Sequence, residues 1–268
     1  MTDSTSTGTR PLALVTGASS GIGLALAHQF AENGFDLVVV AEDDGIHGAA
    51  DEIATHGADV VAEQVDLSSP VGVEALHRAI TEKGRPVTAA ALNAGVGVGG
   101  PFAETDLDAD LELVDLNVRS TVHLAKLLVR DMASRREGRL LFTSSIAATA
   151  PGPYHATYAA SKAFVHSFAE ALRTELADTG ITVTSLMPGP TDTEFFERAD
   201  MEDTKVGAGR KDDPEDVARD GFEALVAGKD HVVAGSTRTK AQAAASAAMP
   251  ATAGAKVQAA QTKPGSGD

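Results

Sequence analysis

Residues 140–163 read LLFTSSIAATAPGPYHATYAASKA. An apolar run of β type ends in Ser144-Ser145, Pro151, Gly152 and Pro153 mark a loop, and a helix-forming segment then carries Tyr158 and Lys162. A strand end would thus present a hydroxyl. The helix after it would present a phenol and an ammonium one turn apart, since residues four apart share a helical face. Tyrosine ionises near pH ~10, and a neighbouring positive charge favours the phenolate. The pattern points to general acid/base chemistry beside a hydroxyl that orients a carbonyl. A solvated helix pair has the same spacing, so the rest of the chain must decide.

Working outward, Pro11–Thr16 (PLALVT) fits a buried parallel strand, followed by a turn with Gly17, Gly21 and Gly23. Further strands are predicted at 35–41, 59–65, 87–92, 139–142, 182–186 and 231–234. Helices are predicted after Gly23 and at 46–56, 70–83, 106–136, 157–178 and 214–227. This alternation predicts an α/β fold: a single Rossmann-like doubly wound parallel sheet of about seven strands with helices on both faces. Residues 1–10 read as a flexible tail and 11–235 as the domain. Residues 236–268 form an Ala-rich extension that could make a thin helix and is expected to be partly disordered, ending in the tail KPGSGD. In such sheets ligands sit at the carboxyl ends of the strands. Gly17–Gly23, Asp66, Asn93–Gly95, Ser145 and Pro188–Thr193 all fall on that rim, with Tyr158 and Lys162 beside them.

Composition removes several alternatives. The formal net charge of −16 argues against nucleic acid or an anionic membrane as partner. The absence of cysteine excludes disulfides, zinc–thiolate sites and thiol nucleophiles. None of His28, His123 and His166 has a partner at metal-ligand spacing, so no metal is expected. The first ten residues lack a signal-peptide apolar region, and no apolar run approaches the ~18 residues of a membrane span. A cytoplasmic protein is expected.

The turn Gly17-x-x-x-Gly21-x-Gly23 suits a pyrophosphate held on a helix N-terminus. It is neither the common Gly-x-Gly-x-x-Gly pattern nor a P-loop. Thr16–Gly23 (TGASSGIG), Asn93–Gly95 (NAG), Asn117, Ser145, Tyr158–Lys162 (YAASK) and Pro188–Thr193 (PGPTDT) together resemble the short-chain dehydrogenase/reductase family. The likeness runs from about residue 11 to 235. It implies an NAD(P)-dependent oxidoreductase that interconverts an alcohol and a carbonyl. Tyr158 would be the acid/base, Lys162 would lower its pKa and bond the nicotinamide ribose, Ser145 would orient the carbonyl, and Asn117 would join a proton relay. Ser144 is one residue out of register, and strand neighbours face opposite ways.

By the same resemblance, Gly17, Ser19, Ser20, Gly21, Ile22 and Gly23 would wrap the adenosine and pyrophosphate. Asp66 would bond the adenine with Leu67 beside it, and Asn93, Ala94 and Gly95 would line the ribose. Pro188, Gly189, Thr191 and Thr193 would hold the nicotinamide. Leu92 stands where the family usually has a second asparagine. After strand two come Glu42, Asp43 and Asp44, which favour a free ribose 2′-hydroxyl over a 2′-phosphate. NAD(H) is therefore favoured without excluding NADP(H). The family's NAD-type aspartate is absent, Ala41 standing in its place. Tyr154 reads as a pocket wall, His155 as a substrate-loop residue, and Phe195 and Phe196 as an apolar lid. The partner is a small-molecule alcohol or carbonyl compound that the sequence does not name. The helices at 106–136 and 157–178 would pair between subunits of a homodimer or homotetramer. A second class open to this sequence is a non-catalytic dinucleotide-binding regulator, against which the complete set of Asn117, Ser145, Tyr158 and Lys162 speaks; a third is a family member that dehydrates or epimerises through transient oxidation, which usually carries a larger substrate domain.

Overall fold

Short runs of Val, Leu and Ala, apolar on both faces, form strands that must be covered on both sides. The computed structural model describes residues 10–267. Its strands are β1 (Leu12–Thr16), β2 (Asp36–Ala41), β3 (Val60–Gln64), β4 (Val87–Leu92), β5 (Gly138–Thr143), β6 (Ile181–Pro188) and β7 (His231–Ala234). They make one seven-stranded sheet in the order β3-β2-β1-β4-β5-β6-β7, parallel throughout. The helices are α1 (Gly21–Glu32), α2 (Gly45–Ala54), α3 (Pro70–Glu82), α4 (Leu107–Val114), α5 (Thr121–Arg135) and α6 (Ala156–Glu175). After β6 come α7 (Phe195–Arg198), α8 (Lys205–Ala208), α9 (Pro214–Val226), α10 (Thr237–Ala248) and α11 (Ala251–Thr262).

Strand residues alternate between two cores, as the pleat requires. Ala13, Val15, Leu37 and Val39 pack with Leu26 and Phe30 of α1, Ile46 of α2 and Phe222 of α9. Leu12, Leu14, Val38 and Val40 face the other way, against Leu76 of α3, Leu124 and Leu128 of α5 and Val165 of α6. The sheet order reverses between β1 and β4, and a crevice opens there at the carboxyl ends of the strands.

The structure departs from the sequence expectation in three places. The helix predicted over 106–136 is interrupted: a π-helical turn, Asp115–Ser120, joins α4 to α5. Such a turn inserts an extra residue and often marks a functional position; here it contains Asn117. Residues 194–213, where no strand or helix is predicted, hold α7 and α8. The Ala-rich extension, expected to be partly disordered, is helical at 237–248 and 251–262. Alanine is the best helix former, and side-chain bonds fasten these helices to the domain: Thr239 Oγ1 donates to Asp212 Oδ2 at 2.6 Å and Thr262 Oγ1 to the Pro153 carbonyl at 2.7 Å. The chain end is bonded too, Gly265 N and Gly267 N each reaching Asp203 at 2.7 Å. Of the expected N-terminal tail, residues 1–9 lie outside the described residues. No helix among the described residues is long and apolar enough to cross a membrane.

Candidate active site

The turn after β1 needs its glycines. Gly17 and Gly21 have φ of 66° and 55°, the left-handed region that disfavours residues with a Cβ. A Cβ on Gly23 would lie 1.8 Å from the Gly17 carbonyl oxygen, so nothing larger fits where α1 meets the loop. Ser20, the N-cap of α1, makes no side-chain capping bond, leaving the first amides of the helix for an anion. Thr16 Oγ1 accepts from Asn93 N and Ala94 N, both at 3.0 Å, and Asn93 Nδ2 donates to the Thr16 carbonyl at 3.2 Å. The Asn93 side chain thus fastens the glycine loop to the end of β4.

The cleft is a cavity of about 270 Å³ that opens to solvent. Gly17, Ser19, Ser20, Gly21, Ile22, Gly23, Glu42 and Leu67 line one half, with Asn93, Ala94 and Gly95 at its centre. Ser145, His155, Tyr158, Lys162, Pro188, Gly189, Thr191, Thr193, Phe195 and Phe196 line the other. Three expected residues are not in its wall. Asp66 Oδ1 accepts from Ser68 N at 2.8 Å and Ser68 Oγ at 2.7 Å, closing its own turn. Tyr154 stands outside the cleft, its backbone at φ 63° and its carbonyl accepting from Gly100 N at 2.8 Å. Asn117 is buried behind the wall.

Carboxylates crowd the end of β2. Asp43 accepts from Ser19 Oγ at 2.8 Å and from Gly45 N at 3.0 Å. Burial, with the charges of Asp66, Glu112 and Asp43 adding to it, pushes the Glu42 carboxyl above its usual range, against the pull of Arg198.

The two serines after β5 diverge. Ser144 Oγ donates to the Lys162 carbonyl at 2.7 Å and anchors α6. Ser145 Oγ accepts from Ala147 N at 3.1 Å and stands beside Tyr158. Burial pushes the Tyr158 phenol up to about 12, with the Ser145 hydroxyl pulling the other way. The Lys162 Nζ donates to the Thr143 carbonyl at 3.0 Å and lies 5.8 Å from the centre of the Tyr158 ring. Burial pushes this lysine down to about 8.

Asn117 accepts at Oδ1 from Val96 N at 3.0 Å and donates from Nδ2 to the Val96 carbonyl at 2.9 Å and Ser161 Oγ at 3.1 Å. A Cβ on Gly95 would fall 2.9 Å from Asn117 Oδ1 and 3.1 Å from Lys162 Nζ. The amide and the ammonium therefore approach each other across a residue with no side chain. The rings of Phe195 and His155 lie 5.0 Å and 6.0 Å from that of Tyr158. Burial pushes the His155 imidazole down to about 4, so it is neutral at pH 7.

Several lining and supporting groups carry no sequence signal of their own. The Thr143 carbonyl, which holds Lys162, is backbone. Ser161, which joins Asn117 to α6, sits inside the YAASK stretch without marking itself. Arg198 and, from the extension, Gln242, Gln258 and Thr262 also line the cleft. Among the described residues, one group of metal-type ligands, Glu170, Asp230 and His231, lies at the start of β7, away from the strand ends that carry the cleft.

The fold is that of one family. The family model described as short chain dehydrogenase matches residues 11–203. The chain belongs to that family and is an oxidoreductase of it. A 1-deoxy-11-beta-hydroxypentalenate dehydrogenase of Streptomyces avermitilis is 40% identical over 185 residues, covering 68% of each chain. A short-chain dehydrogenase from Sphingobium yanoikuyae, solved in complex with NADPH, superposes with a TM-score of 0.78 at 28% identity, covering 83% of this chain and 87% of that one. One from Burkholderia phymatum, solved in complex with NAD, gives 0.80 at 25% identity, covering 89% and 92%.

Proposed function

We propose that the chain holds a nicotinamide dinucleotide along the glycine loop and interconverts an alcohol and a carbonyl compound at Tyr158. The donor set fits that cofactor: uncapped amides at the start of α1 for the pyrophosphate, and a glycine loop that admits close backbone approach. The cofactor, when bound, supplies or accepts the hydride. The protein's own groups handle the proton. Ser145 donates to the substrate oxygen, Tyr158 gives or takes that oxygen's proton, and charged Lys162 favours the phenolate. Asn117 holds the π-helical turn so that a proton can pass from Lys162 past Gly95. The observation that carries this reading is the approach of Asn117 and Lys162 across Gly95, behind a phenol flanked by Ser145.

NAD(H) is the favoured cofactor. Asp43, held by Ser19 Oγ and Gly45 N, and Glu42 beside it put negative charge where a 2′-phosphate would have to sit. The known neighbours include complexes with each dinucleotide, so the local charge has to decide. A second copy of the chain is the proposed assembly partner, by way of the outward apolar side chains Leu107, Leu111 and Val114 on α4 and Phe164 on α6. The net charge of −16 suits a cytoplasmic protein. The test is a screen of alcohols and ketones that follows the absorbance of reduced nicotinamide, with Tyr158→Phe as control. Turnover confined to the unsubstituted protein, with cofactor affinity kept in both, supports the reading; full turnover in Tyr158→Phe overturns it.

A further inference from the structure

The segment after α11 lies beyond residues 11–203, which the family model matches, and it packs on the turn before α8. Short polar bonds tie the two together. Gly265 N donates to Asp203 Oδ2 and Gly267 N to the Asp203 carbonyl, both at 2.7 Å, and Lys205 N donates to Ser266 Oγ at 3.2 Å. The fit is close as well, since a Cβ on Gly267 would stand 2.8 Å from the Asp203 carbonyl oxygen. The segment is anchored just upstream, where buried Thr262 donates from Oγ1 to the Pro153 carbonyl at 2.7 Å.

The turn that it grips belongs to the lid. Met201 and Val206, both in the cleft wall, stand on either side of Asp203 and Lys205 in the chain. Buried Thr204 passes the grip on: its Oγ1 donates to the Met201 carbonyl at 2.6 Å and accepts from Gly207 N at 3.1 Å. The lid also rests on glycines after β4. A Cβ on Gly97 would meet Phe195 Cζ at 2.5 Å, and one on Gly99 would overlap Met201 Cγ. Gly99 N donates to the Ala199 carbonyl at 2.8 Å. The lid is thus held at two places, by a glycine floor and by the segment after α11, with the Phe195 ring against that of Tyr158.

We propose that Asp203 and residues 265–267 form a clamp that positions the lid, keeping Met201 and Val206 seated in the wall of the substrate cavity. Asp203 is thereby a positioning residue of the reaction, and the segment after α11 sets how firmly the cavity holds its substrate. This rests on the hydride-transfer reading, which makes the Tyr158 side of the cleft the substrate side. The lid brings four apolar side chains, Phe195, Phe196, Met201 and Val206, to the cavity, so loosening it costs contact with an apolar ketone or alcohol. Ser145, Tyr158 and Lys162 stand on other elements, at the end of β5 and on α6, so the proton steps are left in place.

The test uses the full chain with Asp203→Ala and Gly267→Val, which break the same contact from its two sides. Asp203→Asn, which keeps an acceptor for Gly265 N, is the conservative variant. Limited trypsin digestion, mapped by mass spectrometry, reads cleavage after Lys205, whose amide is inside the clamp. Cleavage after Arg136, just before β5, controls for global unfolding. Cleavage of a locally opened segment follows its open population, which one lost net hydrogen bond raises about fivefold. Asp203→Ala and Gly267→Val should therefore each speed cleavage at Lys205 by about fivefold and leave Arg136 unchanged, with Asp203→Asn near the unsubstituted rate. With NADH and cyclohexanone or 2-decalone, KM should rise about fivefold in the two released variants, while kcat stays within about twofold and the Kd for NADH within about threefold. Unchanged cleavage at Lys205 overturns the proposal, as does faster cleavage with an unmoved KM. Failure of the hydride-transfer reading is distinct: NADH would bind, no ketone would oxidise it, and the cleavage rates would still decide the clamp.

Discussion

Replacing Asn117 with alanine tests the joint between the broken helix and the catalytic groups. The substitution removes two bonds to Val96 and one to Ser161. Ser161 Oγ keeps its bond to the Tyr158 carbonyl at 2.7 Å, so the loss falls mainly on the Val96 amide and carbonyl. A net hydrogen bond is worth ~0.5–1.5 kcal/mol, and orphaned buried partners cost more. Alanine's higher helix propensity returns a few tenths, leaving about 2 kcal/mol, or roughly 4–8 °C in Tm for a chain of this size. Urea unfolding measures the first quantity and differential scanning calorimetry the second. Turnover should fall by at least ~10²-fold, the usual scale for losing a proton-transfer group. Asn117→Asp keeps the acceptor for Val96 N but cannot donate to the Val96 carbonyl, so it should fall between. An unfolding midpoint that does not move would refute the clamp, and unchanged turnover in a stably folded Asn117→Ala would refute the relay.

Other substitutions probe separate parts of the site. Tyr158→Phe should abolish turnover while leaving the Kd for NADH within about threefold in a fluorescence titration. Asp43→Ser should release Ser19 and raise kcat/KM for NADPH relative to NADH by at least ~10-fold, since like charge opposes the phosphate; an unmoved ratio would assign the preference elsewhere. His155 gives a pH dependence with a definite sign. Its folded pKa of about 4 lies below the ordinary 6.5, so between those values the unfolded chain binds the proton and the folded one does not. Its contribution is present above pH 6.5 and is lost as pH falls towards 4, about 2 kcal/mol by pH 5. Urea unfolding at pH 7 and pH 5 should show that loss in the unsubstituted chain and a smaller one in His155→Gln. Gly95→Val should eliminate turnover, because its side chain would displace Asn117 and Lys162 together.

Much of this arrangement was legible in the sequence because it rests on local rules. Strand runs bounded by glycine and the parallel alternation follow from pleat and turn geometry, while the choice of Ser145 over Ser144 rests on the register of the family resemblance. The π-helical turn was not legible: a pattern read at 3.6 residues per turn has no place for an extra residue, and the three- and four-residue apolar steps from Leu111 to Val129 are those of an ordinary α-helix. The fastening of the C-terminal helices was not legible, because they carry almost no large apolar side chain. Alanine and glycine pack by close backbone approach instead, as Gly254 does against Ala150, and the fastenings are hydroxyls to carbonyls that leave no pattern. Local bonding at Asp66 and Tyr154 was likewise not legible: Asp66 Oδ1 holds the Ser68 amide and hydroxyl, and Tyr154 takes a left-handed backbone.

The bond between Thr16 and Asn93 has a consequence for timing and tolerance. The strands that carry the nucleotide side, β1 to β3, and those that carry the reacting side, β4 to β7, meet only at the β1–β4 seam. At its upper end the Thr16 hydroxyl receives two amides of the opposite half. That hydroxyl is the common datum from which both reactants are located, much as a dowel aligns two castings. A misplacement of about 1 Å can cost ~10²-fold in rate. A methyl in place of this oxygen, in Thr16→Val, would leave every reacting group present and each half folded, yet let the two drift out of alignment.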